Sequence, residues 1–328
     1  MDHSDPTRNL ALELVRVTEA AALASARFMG RGDKEGADQA AVNAMRLVLG
    51  TVDMDGLIVI GEGEKDKAPM LYNGEKVGNG SPPEVDVAVD PIDGTRPLAF
   101  GRTNSLATVS IAPRGTMFDP GPFVYMNKLA VGPEAKGKIN IEKSISENLK
   151  AIAKAKHVEV EDLTTIILDR PRHEAMIAEI RRAGARIRII PDGDVGAALM
   201  TAWPDSGVDV LIGVGGTPEG VLVACALRAM GGEIQGKLYA RDDAELRRGR
   251  EAGYDFDKVL TMDDLVSSED VFFAATGITD GELLKGVRYF GDGARTDSLV
   301  VRGLTGTVRQ ITATHSIAKL DRLSKIKY

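Results

Sequence analysis

Between Thr164 and Met230 the chain repeats one arrangement three times: a short β-rich run, a polar loop, then a helical segment. TTIILD (Thr164 to Asp169) leads through RPRH into a helix ending at Gly184. RIRII (Arg186 to Ile190) leads through PDGD into a short helix. VDVLIGV (Val208 to Val214) leads through GGTPEG into a helix from Pro218 to Met230. Strands that alternate with helices predict parallel βαβ units, because each helix must carry the chain back across the sheet.

The first half reads differently. Leu10 to Met29 repeats apolar residues at helical spacing before Gly30, and a second helix is expected from Ala37 to Leu49. Leu57–Ile60, Val85–Val89 and Leu106–Ala112 are the next β-rich runs, and SISENLKAIAKAK reads as a helix. VFFAATGI (Val271 to Ile278) and a strand pair near SLVVRG and TVRQITA close the chain. The expected fold class is α/β, with an α+β first half and an α/β second half. The composition shift near Lys154 to Glu161 sets the expected boundary, giving domains 1–158 and 159–328.

Polar chemistry collects where these strands end. Five of them run into GEGEKD, DPIDGT, RPRH, PDGD and GGTPEG. In open α/β sheets, side chains and helix N-termini converge beyond the carboxyl ends of strands, so several such loops suggest one shared crevice. In VAVDPIDGTRPLAF, Asp90 and Asp93 are spaced to face one side of a tight turn, and Pro91 stops the strand. Such hard oxygen donors suit Mg²⁺ or Mn²⁺ alongside phosphate oxygens. Gly94 permits close approach of backbone to a ligand, and Thr95 can start a short helix that favours an anion. An ordinary Asp/Gly turn with a threonine cap accounts for the same residues.

Glu62, Glu64 and Asp66 read equally as solvated loop charge or as ligands that follow a buried strand. Glu219 and Asp38 sit in first turns of helices, where an acid complements the helix dipole. Lys34, Arg170 and Arg172 are candidate phosphate partners, Arg through its bidentate fork. Tyr125 and Trp203 are expected to pack. The four histidines show no zinc-ligand spacing, GVGGTPEG has Pro218 where a dinucleotide fingerprint needs glycine, and no P-loop occurs.

Bulk composition excludes other classes. A net charge of −7 provides no basic field for nucleic acid or an anionic membrane. The single cysteine, Cys225, rules out an intramolecular disulfide framework. MDHSDPTRNL lacks an apolar signal core, and Val221–Leu227, the longest apolar stretch, is too short to span a bilayer. A cytoplasmic protein is expected.

The ordered motifs carry a resemblance. DPIDGT at Asp90 to Thr95, preceded by GEGE, resembles the signature of the lithium-sensitive, metal-dependent sugar and inositol phosphatases. RVTEAAALAS, GRGDKEGAD, VIGEGEKDKAPMLYNGEKVG, RPRH, IPDGDV, GVGGTPEGV and ATGITDGELLKGV resemble, more specifically, the class II, GlpX-type fructose-1,6-bisphosphatases, from about Arg16 to Val287. The resemblance implies a layered αβαβα fold with the site between two domains, the first metal-binding and the second holding the sugar phosphate. It implies two or more Mg²⁺ or Mn²⁺ ions held by Asp38, Glu62, Asp90 and Glu219. Substrate contacts fall by match on Asp93, Gly94, Thr95, Tyr125, Arg170, Pro171, Arg172, Asp192, Gly193, Asp194 and Gly216. Lys34, Asp66 and Thr95 match positions associated with catalysis, with Asp66 or Glu64 as the expected partner of Thr95. The family often has Glu where this chain has Asp93. The implied substrate is a sugar bisphosphate, fructose 1,6-bisphosphate cleaved at its 1-phosphate, and the implied assembly a homo-oligomer. Sedoheptulose 1,7-bisphosphate, an inositol phosphate, or a non-catalytic sugar-phosphate sensor are the alternatives.

Overall fold

The structure is a computed structural model and describes residues 9–62, 71–324, 326 and 328. Helices α1 (Ala11–Ser25) and α2 (Lys34–Leu49) open the fold. α2 starts a turn earlier than its apolar spacing suggests, because Asp33 caps it by accepting the Gly36 N–H at 2.8 Å. Lys34 and Asp38 therefore share one helix, one turn apart.

The strands form two sheets. The first orders β11 (Arg288–Phe290), β12 (Gly293–Arg302), β10 (Phe272–Gly277), β4 (Leu106–Pro113), β3 (Glu84–Asp93), β1 (Asp55–Ile60) and β2 (Lys76–Val77), with β13 (Thr307–Ser316) also paired to β12. Only β1 and β3 run parallel in it. The second orders β7 (Arg186–Ile190), β6 (Thr164–Leu168), β8 (Val210–Gly216), β5 (Tyr125–Val131) and β9 (Glu233–Leu238).

In the second sheet β6 is parallel to both β7 and β8, as the strand–loop–helix repeat predicts, while β5 lies antiparallel between β8 and β9. The sheets do not divide the chain at 158/159. β5 precedes that point yet joins the second sheet, and β10–β13 follow it yet complete the first. Composition shifts mark local polarity, whereas strand pairing is decided by contacts distant in sequence.

Three main cores hold five layers together, the central one filling both sides of the middle layer. α1 and α2 pack on one face of the first sheet through Leu14, Val17, Met45, Val85, Val87 and Val89. The other face contributes Ala88 to a central core shared with α6 (Asp194–Met200), α7 (Thr217–Met230) and the inner face of the second sheet. The outer face of that sheet, with Leu129, Ile167 and Ile212, meets α4 (Ile145–Lys156) and α5 (Glu174–Ala183). The order αβαβα explains why α7 is apolar all round: it is covered on both sides. β3 is buried on both faces although acids alternate with valines along it, so that Asp86 is itself buried. Its period of two still matters. Val85, Val87 and Val89 face the outer helices, so Ala88 and then Asp90 face the central layer. No helix among the described residues is long and apolar enough to cross a membrane.

Candidate active site

The parallel runs end on the same side, and their loops meet. A cleft of about 280 Å³ is lined by Glu62 after β1, Asp90 and Asp93 at the end of β3, Asp192 and Asp194 after β7, and Glu219 in the first turn of α7. Gly94, Thr95 and Pro218 complete much of its wall. Segments far apart in sequence thus supply six carboxylates to one crevice between the two sheets.

The DPIDGT turn is both a turn and a cleft wall. The pairing of β3 with β4 slips between Asp90 and Asp93. Asp90 accepts the Ile92 N–H at 3.1 Å, which tightens the loop. Gly94 takes φ +90°, a left-handed conformation that glycine adopts without strain. Thr95, the first residue of α3 (Thr95–Ala99), donates to Asp38 at 3.2 Å and approaches the Ile92 carbonyl at 3.3 Å. Glu64 and Asp66, expected as its partners, lie outside the described residues; the described partner is Asp38.

Asp93 is 3 % exposed and accepts the N–H groups of Gly196 at 2.9 Å and Val195 at 3.4 Å. Both its oxygens tie the end of β3 to α6, an anchoring role that the bare turn motif could not show.

Crowding sets the electrostatics. Burial, then the neighbouring Asp93 and Glu219, push Asp90 well above the usual carboxylate range. Burial, then Asp194, do the same to Asp93. Glu219 is pushed up to about 7 by burial and by Asp194, against the pull of Lys128. Burial raises Glu62, with Asp38 adding to it, and raises Asp38 itself against the Thr95 hydrogen bond and Lys34. In each case burial is the first cause, disfavouring the charged form, and Lys34 and Lys128 offset it only in part at Asp38 and Glu219.

The donors fit a hard divalent cation. All are carboxylate oxygens, and Glu219 Oε2 is buried with no hydrogen-bond partner among the described residues. No three His, Cys, Asp or Glu side chains among the described residues stand close enough to cage an ion alone. That is the usual situation for Mg²⁺, which is held by one or two carboxylates together with water and substrate phosphate.

The basic residues flank this cleft. Arg170 donates to the Pro191 carbonyl at 2.7 Å and pairs with Asp192 at 3.4 Å. Arg172 donates to the Val214 carbonyl at 2.8 Å and 3.2 Å and lies 5.2 Å over the Tyr125 ring. Tyr125 is brought there because β5 starts where β8 ends, Tyr125 opposite Gly216. Pro171 opens the 3₁₀ turn Pro171–His173 that aims both arginines. Gly193, in the left-handed region, caps α6, and Gly216 leaves the space that the Glu219 carboxylate fills. Lys34 stands 5.7 Å from the Phe100 ring, within electrostatic reach of Asp38.

Sequence reasoning passed over two residues here. His173 is fully buried; its Nδ1 bonds the Leu168 carbonyl at 2.7 Å and its Nε2 accepts the Val214 N–H at 2.8 Å, which sets the platform under Arg172. Lys128 forms a buried ion pair with Asp194 and donates to the Gly216 carbonyl at 2.9 Å. Its signal was a lysine on the core-facing side of an alternating strand.

The family model described as bacterial fructose-1,6-bisphosphatase, glpX-encoded, matches residues 8–315. The chain belongs to this family. It is 48% identical over 327 residues to fructose-1,6-bisphosphatase 1 class 2 of Escherichia coli K12, covering 96% of this chain and 97% of that protein. The class 2 fructose-1,6-bisphosphatase of Shigella flexneri matches equally. The glpX-type family match spans both sheets, so the cleft lies wholly within the matched region.

Proposed function

We propose that the chain hydrolyses the 1-phosphate of fructose 1,6-bisphosphate, giving fructose 6-phosphate and inorganic phosphate, with Mg²⁺ or Mn²⁺. The observation that carries this is the single cleft in which Asp90, Glu219 and Glu62 meet beside the Thr95–Asp38 pair. Asp38, Glu62, Asp90 and Glu219 would hold two or more ions, which supply charge to the phosphate and lower the pKa of a bound water.

The chain's own groups position the rest. Thr95 has its one proton directed to Asp38 or the Ile92 carbonyl, and its lone pairs are left to orient the attacking water. Asp38 Oδ2 has no hydrogen-bond partner among the described residues and remains for a cation. The water's oxygen joins phosphorus as the bond to the C1 oxygen breaks, and the proton that the water gives up balances the one that the C1 oxygen takes up. Lys34 offsets charge on the phosphate oxygens, and Asp66, outside the described residues, keeps the catalytic part that the family resemblance implies. Arg170 and Arg172 grip the phosphate that stays, over Tyr125. Asp93, Gly94, Asp192, Gly193, Asp194 and Gly216 shape the sugar-facing wall.

A homo-oligomer in the cytoplasm belongs to the same reading. Leu12 and Leu47, 64% and 42% exposed on α1 and α2, support a covered outer face, and the lone buried Cys225 suits a reducing compartment.

A phosphate-release panel over fructose 1,6-bisphosphate, sedoheptulose 1,7-bisphosphate and inositol monophosphate tests the assignment. The first substrate is expected to give the highest kcat/KM. Inositol monophosphate turning over faster would overturn it.

A further inference from the structure

One cation is buried among the acids of the cleft. Lys128 is 2 % exposed, and it lies on the side of β5 that also carries Met126 and Ala130 into the central core. A lysine at such a position is costly unless its charge is met. Here it is met by Asp194, and a second N–H goes to the Gly216 carbonyl. Space for the contact is made by Gly215, where a Cβ would run into both the Asp194 carboxylate and the Lys128 ammonium. Gly216 is the residue from which α7 and Glu219 start, and Asp194 is the residue from which α6 starts. The lysine therefore pins two cleft loops from below.

Asp194 differs in this respect from the proposed metal ligands, while Asp192 pairs with Arg170 at the cleft's edge. Among the described residues no cation is hydrogen-bonded to Glu62, Asp90 or Glu219: Lys128 reaches Glu219 only through its field, and Glu219 Oε2 has no hydrogen-bond partner there. An ammonium already bonded to a carboxylate competes with a divalent cation for it.

We propose that Lys128 is a positioning residue that reserves Asp194 for the sugar phosphate by withholding it from the divalent cation. The inference rests on the metal-dependent bisphosphatase reading. It explains why six acids line one cleft without all serving as ligands: Lys128 sorts Asp194 out of the set and holds it, with the Gly216 carbonyl, as a fixed acceptor for substrate hydroxyls.

The test is a double-mutant cycle with two readouts on the full chain: Mn²⁺ binding by calorimetry after chelator dialysis, and steady-state kinetics with fructose 1,6-bisphosphate. Lys128→Gln is expected to bind Mn²⁺ about threefold to tenfold more tightly, while KM rises about tenfold or more and kcat falls less. Asp194→Asn leaves the ammonium uncompensated and is expected to weaken Mn²⁺ binding. The double variant is expected to return Mn²⁺ affinity to within about threefold of wild type, because the charge pair is removed as a unit. Lys128→Met repeats the arm with an apolar side chain of similar length if the glutamine variant misfolds. Mn²⁺ affinity as poor in the double variant as in Asp194→Asn makes Asp194 a ligand and overturns the proposal. So does parallel weakening of Mn²⁺ and substrate in Lys128→Gln, the mark of a merely structural lysine. Wild type that neither binds Mn²⁺ nor releases phosphate would instead defeat the underlying reading.

Discussion

Thr95 Oγ1 lies 3.2 Å from Asp38 Oδ1, a hydrogen bond that joins the start of α3 to the second turn of α2 across 57 residues of sequence. The Ile92 carbonyl lies at 3.3 Å on the same hydroxyl, so both acceptors hold Thr95 Oγ1 in place at the cleft wall. Thr95→Ala is expected to reduce kcat by about a hundredfold or more, the usual scale for losing one oriented polar group. Thr95→Ser keeps the hydroxyl and should recover most of the rate. Equal kcat for the alanine and wild-type proteins would remove Thr95 from the chemistry.

The acids predict a trade of stability against function. Glu219 has a buried Oε2 with no hydrogen-bond partner among the described residues and is crowded by Asp194. Glu219→Gln removes charge repulsion at nearly constant shape, so the metal-free chain should gain about 1 kcal/mol and melt higher. The same change should abolish metal-dependent turnover and the thermal shift produced by Mn²⁺. A lower melting temperature in the metal-free variant would show that the carboxylate is structurally compensated after all.

Arg172 holds a fixed attitude through two N–H bonds to the Val214 carbonyl and its position over Tyr125. Arg172→Ala should raise KM for fructose 1,6-bisphosphate by about tenfold or more while changing kcat little, since the retained phosphate is far from the bond that breaks. Arg172→Lys should rescue poorly, because a point charge cannot reproduce the planar fork. Full rescue by lysine contradicts the bidentate role.

Two histidines predict a pH dependence of stability. Burial lowers the pKa of His173, with Arg172 and Arg170 adding to it, and burial lowers that of His315. His173 spends both ring nitrogens on backbone as a neutral ring. His315 bonds Thr296 at 2.8 Å with the Glu19 carboxylate 3.7 Å away. As pH falls from the ordinary value of about 6.5 towards the folded values, the unfolded chain takes protons that the folded chain refuses. Stability present above about pH 6.5 is therefore lost below it. Glu19, raised by burial, works in the opposite sense from about pH 4.5 upward, so the comparison is made by difference. The gap in Tm between wild type and the His173→Asn, His315→Gln double variant should narrow from about pH 7.5 to pH 5.5. A constant gap would mean that neither ring resists protonation.

Much of this was legible in the sequence, for physical reasons that also set the limit. Asp90 and Asp93 were visible because an apolar strand that stops at acids and proline is unusual, and the strand–loop–helix repeat after Thr164 announced β6, β7 and β8. The period of two along β3 puts Asp90 on the face of Ala88, but that this face is the central one follows only from the packing. What escaped depends on pairing at a distance. β5 was not read as a strand, and its antiparallel insertion between β8 and β9 is what carries Lys128 to Asp194 and Tyr125 to Arg172. The return of β10–β13 to the first sheet was equally hidden, since nothing local to Phe272 says which earlier strand it will meet.

The most direct test of the account is phosphate release from fructose 1,6-bisphosphate by the wild-type chain and by Asp90→Asn, each with Mn²⁺, with Mg²⁺ and with excess chelator. Turnover by wild type with a divalent ion, its loss in chelator and its loss in Asp90→Asn, with melting behaviour retained, is the predicted result. Turnover that survives chelator, or that Asp90→Asn leaves unchanged, would contradict it.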